Sequence, residues 1–270
     1  MPVILVTGGS SGIGLATVRW LAASGDRVFY GSRTPAPAGS VGTDVTHVPL
    51  DVADPASCSS AVSSVVSGTG RLDVLVNNAG TVELAPLEEA TDEAAHWTFE
   101  VNVFGPMRLA RAAIPVMRAQ GGGRIVNVTS VNDIAPAPFG GWYSASKAAL
   151  ASLSYVLGAE LTGTGIHVTV VAPGLFRTPM PEKQREQTAP PGSRYARAFD
   201  GIRKNGAAQM AMAADPAEAA EAIEELIRSQ APPARLVIGA TGVAMEERVR
   251  KASAEDYAGL LAGAVVKLTG

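Results

Sequence analysis

The sequence predicts an α/β fold in which parallel strands alternate with helices, with helices on both faces of a doubly wound sheet. Short apolar runs recur along the chain, and segments with apolar residues at helical spacing separate them. The first run, Val3-Ile4-Leu5-Val6, leads at once into Thr7-Gly8-Gly9-Ser10-Ser11-Gly12-Ile13-Gly14. Strand, tight turn and helix start are thus written into the opening residues.

The opening run reads as a strand buried on both faces. Behind the glycine turn, Leu15, Val18, Leu21 and Ala22 fall at helical spacing, and Ser24-Gly25 stops the helix. Arg27 to Tyr30 reads as a second strand, followed by a proline-rich surface loop from Thr34 to Ser40. His47 to Leu50 makes a third strand ending at Asp51, and Ala61, Val62, Val65 and Val66 mark a helix that stops at Gly68. Asp73 to Val76 is the fourth strand. A long helical region is expected from about Thr91 to Ala119, bent by Pro115. Next come a strand from Arg124 to Thr129, a helix from about Tyr143 to Leu161 and a strand from Ile166 to Val171. Pro181 to Asn205 reads as an irregular polar segment, too long for an ordinary connection, and a substrate lid is expected at about 176–212. A helix from Pro216 to Arg228 and a strand from Arg235 to Ile238 complete the sheet. No internal repeat or linker divides the chain, so residues 1–270 are expected to form one domain.

Composition narrows the function classes. The chain has 270 residues, 47% hydrophobic and 17% charged, with a net charge of -3. That length suits one large α/β domain. The charge is not the basic footprint of a nucleic-acid binder, and no apolar run approaches the roughly 18 residues of a membrane span. Neither nucleic acid nor membrane is expected as a partner. Met1-Pro2-Val3 enters a strand without a basic leader region, which gives a cytoplasmic expectation. The single cysteine, Cys58, and the scattered His47, His96 and His167 have no metal-ligand spacing. They are read as packing or surface residues, and no metal is expected.

Four features carry chemistry. The glycine turn directs backbone N-H groups outward at the positive end of a helix, where a pyrophosphate can be received if no Cβ blocks its approach. Its spacing, G-x-x-x-G-x-G, is a variant of the G-x-G-x-x-G device. Asn77-Asn78-Ala79-Gly80 follows the fourth strand, where small residues let a cofactor approach the backbone. In Tyr143-Ser144-Ala145-Ser146-Lys147 the phenol and the ammonium share one helical face. A free tyrosine has a pKa of about 10, and an adjacent cation lowers it. Lys147 is therefore expected to activate Tyr143. Finally, Ser130 ends the strand Asn127-Val128-Thr129-Ser130 at the edge where α/β sheets bind ligands, while Thr129 should face the opposite side.

With these residues in view, the chain resembles the short-chain dehydrogenase/reductase family from its first residues to about Ile238. The resemblance rests on Thr7 to Gly14, Asp51-Val52, Asn77 to Gly80, Asn102, Ser130, Tyr143, Lys147 and Pro173-Gly174. It implies a single-domain, Rossmann-like, seven-stranded parallel sheet and a homodimer or homotetramer. It also implies a catalytic tetrad: Asn102 holds a water in a proton relay, Ser130 polarises a carbonyl, Tyr143 is acid or base, and Lys147 depresses the tyrosine pKa and binds the nicotinamide ribose. Asp51 and Val52 would flank the adenine, Asn78 and Ala79 would lie along the adenosine, and Thr178 would reach the carboxamide. Gly8, Ser10, Ser11, Gly12, Ile13, Gly14 and Gly80 complete the expected cofactor set, together with Pro173 and Gly174.

At the end of the second strand a carboxylate would grip the free ribose hydroxyls of NAD, but this chain has Gly31-Ser32-Arg33. Arg33 can pair with a 2′-phosphate, and Ser10 and Ser32 can add neutral donors. NADP(H) is thus favoured over NAD(H), against the alternative of a solvent-facing Arg33 and dual cofactor use. The expected reaction interconverts a hydrophobic ketone or aldehyde and its alcohol by hydride transfer. Phe139, Trp142, Phe176 and Met180 are the candidate substrate contacts, although the aromatic residues equally suit packing a lid onto the body. Met210 and Met212 belong to the same expected lid. The alternatives are a cofactor-binding regulatory protein without turnover, a related epimerase or dehydratase, and a dehydrogenase similar to the steroid and retinol enzymes of the same family, working oxidatively.

Overall fold

In a computed structural model describing residues 1–42, 44–180, 187 and 189–269, the sheet is built around β1 (Val3–Thr7), in which Ile4, Leu5 and Val6 are fully buried. Such a strand stays in place because parallel neighbours satisfy its backbone on both sides. Leu5 stands opposite Phe29 of β2 (Arg27–Ser32) and Leu75 of β4 (Val74–Asn77). With β3 (Val45–Pro49), β5 (Gly123–Val128), β6 (Ile166–Pro173) and β7 (Arg235–Ile238), the order is β3-β2-β1-β4-β5-β6-β7, parallel throughout. This is the expected seven-stranded, doubly wound, Rossmann-like sheet. The order reverses between β1 and β4, and it is outside the carboxyl ends at such a switch point that ligands bind.

Alternate residues of each strand feed the two faces. Val3 and Leu5 join a core with Val62 and Val65 of α2 (Pro55–Thr69) and Leu109, Ala113 and Met117 of α4 (Gly105–Ala119). Ile4 and Val6 join the opposite core with Val18 and Leu21 of α1 (Gly12–Ala23) and Ile223 and Leu226 of α7 (Pro216–Arg228). The start of α7 is fixed by a capping box in which Asp215 accepts from Ala217 N at 3.0 Å, with Pro216 supplying the first helical turn.

Three regions differ from the sequence expectations. The helical region from Thr91 divides into α3 (Asp92–Phe99), a π turn (Glu100–Phe104) and α4, which continues through Pro115. The departure from α geometry therefore lies at Asn102. The irregular segment Pro181 to Asn205 contains the start of a helix, α6 (Ala196–Ala211). Tyr195, Ala198, Phe199 and Ile202 recur at helical spacing and pack on Phe139, so burial orders what polarity suggested was loop. Residues 181–186 and 188 of the expected lid lie outside the described residues. Two further helices, α8 (Ala240–Lys251) and α9 (Ala254–Thr269), follow the last strand. Between β5 and α5 (Gly141–Glu160) runs a short 3-10 turn, Val131–Asp133. Among the described residues, no helix is long and apolar enough to cross a membrane.

Candidate active site

The carboxyl ends of β1 and β4 are joined by one side chain. Thr7 Oγ1 accepts from Asn78 N at 3.0 Å and Ala79 N at 2.9 Å, while Asn78 Nδ2 donates to Thr7 O at 2.9 Å. This fixes the glycine turn beside Asn78, Ala79 and Gly80. Gly12 has φ +55°, and a Cβ on Gly14 would collide with Asn78 and the Gly8 carbonyl, so neither position accepts a side chain. The N-cap Ser11 makes no side-chain cap bond, and the first turn of α1 has no acidic residue. Its N-H groups and dipole therefore remain available to an anion. Thr178, beyond Pro173-Gly174 at the end of β6, lies across the turn, 3.2 Å from where a Gly12 Cβ would stand. These features fit a dinucleotide pyrophosphate.

At the end of β2, Ser32 is buried and Arg33 exposed. Ser32 Oγ donates to Thr34 O at 2.6 Å and lies 3.1 Å from His47 Nε2, which also meets Ser32 O at 3.0 Å. His47, read from sequence as a packing or surface residue, thus braces this strand end and lies against Tyr30. After β3, Asp51 Oδ1 accepts from Ala53 N at 3.0 Å, and Val52 packs under Gly105.

The second half of the site hangs on α5 and the π turn. Asn102 is fully buried; its Oδ1 accepts from Thr81 N at 2.8 Å, and its Nδ2 donates to Ser146 Oγ at 3.0 Å. Ser146 in turn donates to Tyr143 O at 2.7 Å. Lys147 Nζ donates to Val128 O at 3.0 Å and lies 5.9 Å from the Tyr143 ring centre. A Cβ on Gly80 would fall 3.3 Å from Asn102 Oδ1 and 3.4 Å from Lys147 Nζ, so the two halves meet at Gly80. Ser130 Oγ accepts from Asn132 N at 3.2 Å. Thr129 is buried beside it, with its hydroxyl on Asp133.

Electrostatics depart from the simple expectation for Tyr143. Burial pushes its phenol above the usual range, the Ser130 hydroxyl acts downward, and Asp133 acts upward. Lys147 is lowered to about 8 by burial, with Asp133 opposing. Desolvation therefore outweighs the mutual influence expected from helical spacing alone.

The expected substrate residues do not all converge. Phe139, at φ +64°, lies 5.7 Å from the Phe199 ring and 5.8 Å from Tyr195, inside the cluster that seats α6. Met180 is half-buried just past Thr178. Trp142 instead meets Phe99 of α3 at 6.3 Å, and Phe176 is 3% exposed with its ring against Gly239. Gln187, not singled out in the sequence, accepts from Leu84 N at 2.7 Å and donates to Val82 O at 3.3 Å. A lone Gln in a polar run carries no signal of this pairing. Two surface cavities of about 430 and 420 Å³ lie away from Tyr143 and Lys147, one at the opposite edge of the sheet by Arg71, Arg124 and Arg228, the other by α5 and β6. Side-chain convergence, not cavity volume, marks the site. Among the described residues there is no cluster of His, Cys, Asp and Glu able to hold a metal ion.

Comparison with known proteins agrees with this geometry. The family model described as short chain dehydrogenase matches residues 2–189. A protein of Streptomyces virginiae, provisionally named as a ketoacyl reductase of the monensin polyketide synthase, is 39% identical over 207 residues, covering 73% of this chain and 77% of that one. The structure of a point variant of actinorhodin polyketide ketoreductase with NADPH aligns with TM-score 0.74 and 31% identity, over 89% of this chain and 97% of the other. That of a 3-ketoacyl-(acyl-carrier-protein) reductase from Brucella melitensis complexed with NADH aligns with TM-score 0.75 and 27% identity, over 88% and 96%. The chain, with its glycine turn, buried Asn102 and paired Tyr143 and Lys147, belongs to the short-chain dehydrogenase family of oxidoreductases, acting on CH-OH and C=O groups.

Proposed function

We propose that this oxidoreductase uses NADP(H) to interconvert a hydrophobic ketone or aldehyde and its alcohol, with Tyr143 as the acid or base. The observation that carries the reading is the meeting of Asn102 and Lys147 at Gly80, with Tyr143 beside Lys147 and tied to Asn102 through Ser146, across the switch point from the glycine turn. Gly8 to Gly14 would hold the pyrophosphate, Ser32 and Arg33 the adenosine end, Asp51, Val52, Asn78 and Ala79 the adenine side, and Thr178 the carboxamide. When bound, the nicotinamide exchanges a hydride with the substrate carbon. Tyr143 gives its proton to the developing alkoxide, and Ser130 donates a hydrogen bond to the same oxygen. Lys147 holds positive charge beside the phenol and binds the ribose, and Asn102 extends the proton path. In oxidation the proton transfers reverse.

The exposed Arg33 and the absence of a carboxylate at Gly31-Ser32-Arg33 support NADP(H). Phe139, Phe199, Leu84 and Ile202 support an apolar substrate next to the Val82 to Leu84 segment that Gln187 fastens. Assembly through α3, the π turn and α5 is supported by Trp97, Phe104, Leu153, Tyr155 and Val156, all exposed there. The test follows NADPH and NADH absorbance against aliphatic, aromatic and steroidal carbonyls. Oxidation of NADPH by an apolar carbonyl is expected. Tight NADPH binding without oxidation by any of them would favour a regulatory protein instead.

A further inference from the structure

Directly after Ser130, the turn Val131–Asp133 carries a carboxylate whose side chain has no solvent exposure. Nothing in its local sequence neutralises it; the partner comes from the far edge of the sheet. Arg235 of β7 donates through Nη1 to Asp133 Oδ2 at 2.8 Å and through Nη2 to Oδ1 at 2.9 Å. Thr129 Oγ1 donates to Oδ2 at 2.8 Å. Arg235 is held in turn by Glu246 of α8, whose Oε1 accepts from Nε at 2.9 Å and from Arg250 at 3.2 Å. Burial opposes the guanidinium charge, yet these partners hold Arg235 firmly protonated.

We propose that Asp133, clamped by Arg235, is a positioning residue of the site: it fixes the turn that carries Ser130 and faces Tyr143 and Lys147 with a buried negative charge. The first part rests on hydrogen bonds. Asp133 N donates to Ser130 O at 2.9 Å and Asn132 N to Ser130 Oγ at 3.2 Å, so the rotamer of Ser130 is set by a turn whose last residue is anchored to β7. The second part rests on placement: the unexposed Asp133 carboxylate is bonded to Thr129, the neighbour of Val128, whose carbonyl holds the Lys147 ammonium. Among the described residues, no carboxylate bonds the Lys147 ammonium, which donates to the Val128 carbonyl. Arg235, Glu246 and Arg250 stand behind Asp133, and of these groups Asp133 is the one that acts on both Tyr143 and Lys147, raising each. A bidentate pair buried this far adds little net stability over an apolar substitute, whereas a carboxylate held in one orientation keeps Lys147 cationic and Tyr143 protonated. The pair also ties α8 to the chemistry, through Glu246.

This inference rests on the proposed roles of Ser130, Tyr143 and Lys147, but its test needs no substrate. The phenolate of Tyr143 is titrated by near-ultraviolet absorbance in the full chain, as the difference between each protein and its own Tyr143→Phe counterpart. In Asp133→Asn the phenolate should form at a pH lower by about half a unit or more, while Asp133→Glu, which keeps the charge, should stay nearer the parent. If Asp133→Asn does not fold because Arg235 is stranded, the neutral pair Asp133→Asn/Arg235→Gln is titrated in its place, with the same expectation. An unmoved titration in a folded variant overturns the proposal and leaves the pair as a brace. Loss of folded protein in both variants makes the pair a fold determinant and equally overturns it. Full turnover by Tyr143→Phe, by contrast, would sink the reading of the site and leave the titration result standing.

Discussion

Lys147 Nζ donates to the Val128 carbonyl at 3.0 Å and stands 5.9 Å from the centre of the Tyr143 ring, with both side chains buried. The ammonium is thus anchored to β5 and held beside the phenol, with no ion pair of its own among the described residues. A cation in that setting is sensitive to pH, and the sign of the effect follows from burial.

Lys147 falls from its usual 10.5 to about 8 in the folded chain. Between those values the unfolded chain binds the extra proton, so stability is expected to rise as pH increases from about 8 towards 10. Tyr143, displaced upward, works in the opposite sense above its usual 10.0. Urea unfolding across this range should show the rise in the parent protein, and Lys147→Met should flatten it. An equal slope in both would assign the effect to another group.

For cofactor choice, Arg33→Asp is expected to lower the NADPH to NADH ratio of kcat/KM by roughly 10- to 100-fold, the worth of one charge-assisted contact. Arg33 is exposed, so the fold should be untouched. A constant ratio would leave the 2′-phosphate reading without support.

Thr7 offers a structural prediction. Its hydroxyl oxygen serves two backbone donors, those of Asn78 and Ala79. Thr7→Val keeps the shape but strands both, and should lower unfolding stability by roughly 1 to 3 kcal/mol while weakening NADPH binding. Thr7→Ser should recover most of each loss in urea unfolding and fluorescence titration. Equal stability of Thr7→Val and Thr7→Ser would show that the contacts carry no weight.

Cys58 is buried in α2, and burial pushes its thiol up to about 11. It should react with an aromatic disulfide reagent at neutral pH only as the protein unfolds. Rapid labelling of the native chain would contradict this placement.

Much of this architecture was legible because local pattern and global fold agree. Pro216 to Arg228 and Arg235 to Ile238 have the same limits in sequence and structure, since a capping box and a β-branched run define them locally. Gly14 and the Tyr143 to Lys147 spacing also needed no long-range information. Other features depend on partners distant in sequence. The π turn at Asn102 is tied to Thr81 and Ser146. The helix at 196–211 is seated by Phe139, although its Tyr195, Ala198, Phe199 and Ile202 stripe was there to be read. Phe176 faces Gly239 because β7 brings that residue beneath it. Asp133 resembles any loop carboxylate until Arg235 arrives from the sheet edge.

The most direct measurement is turnover and NADPH affinity of Tyr143→Phe in the full chain. NADPH absorbance with any carbonyl reduced by the parent protein should show a loss of at least roughly 100-fold, while the fluorescence-derived Kd for NADPH stays within about threefold, a margin under one kcal/mol. Undiminished turnover in this variant would contradict the assignment of Tyr143 as the proton donor.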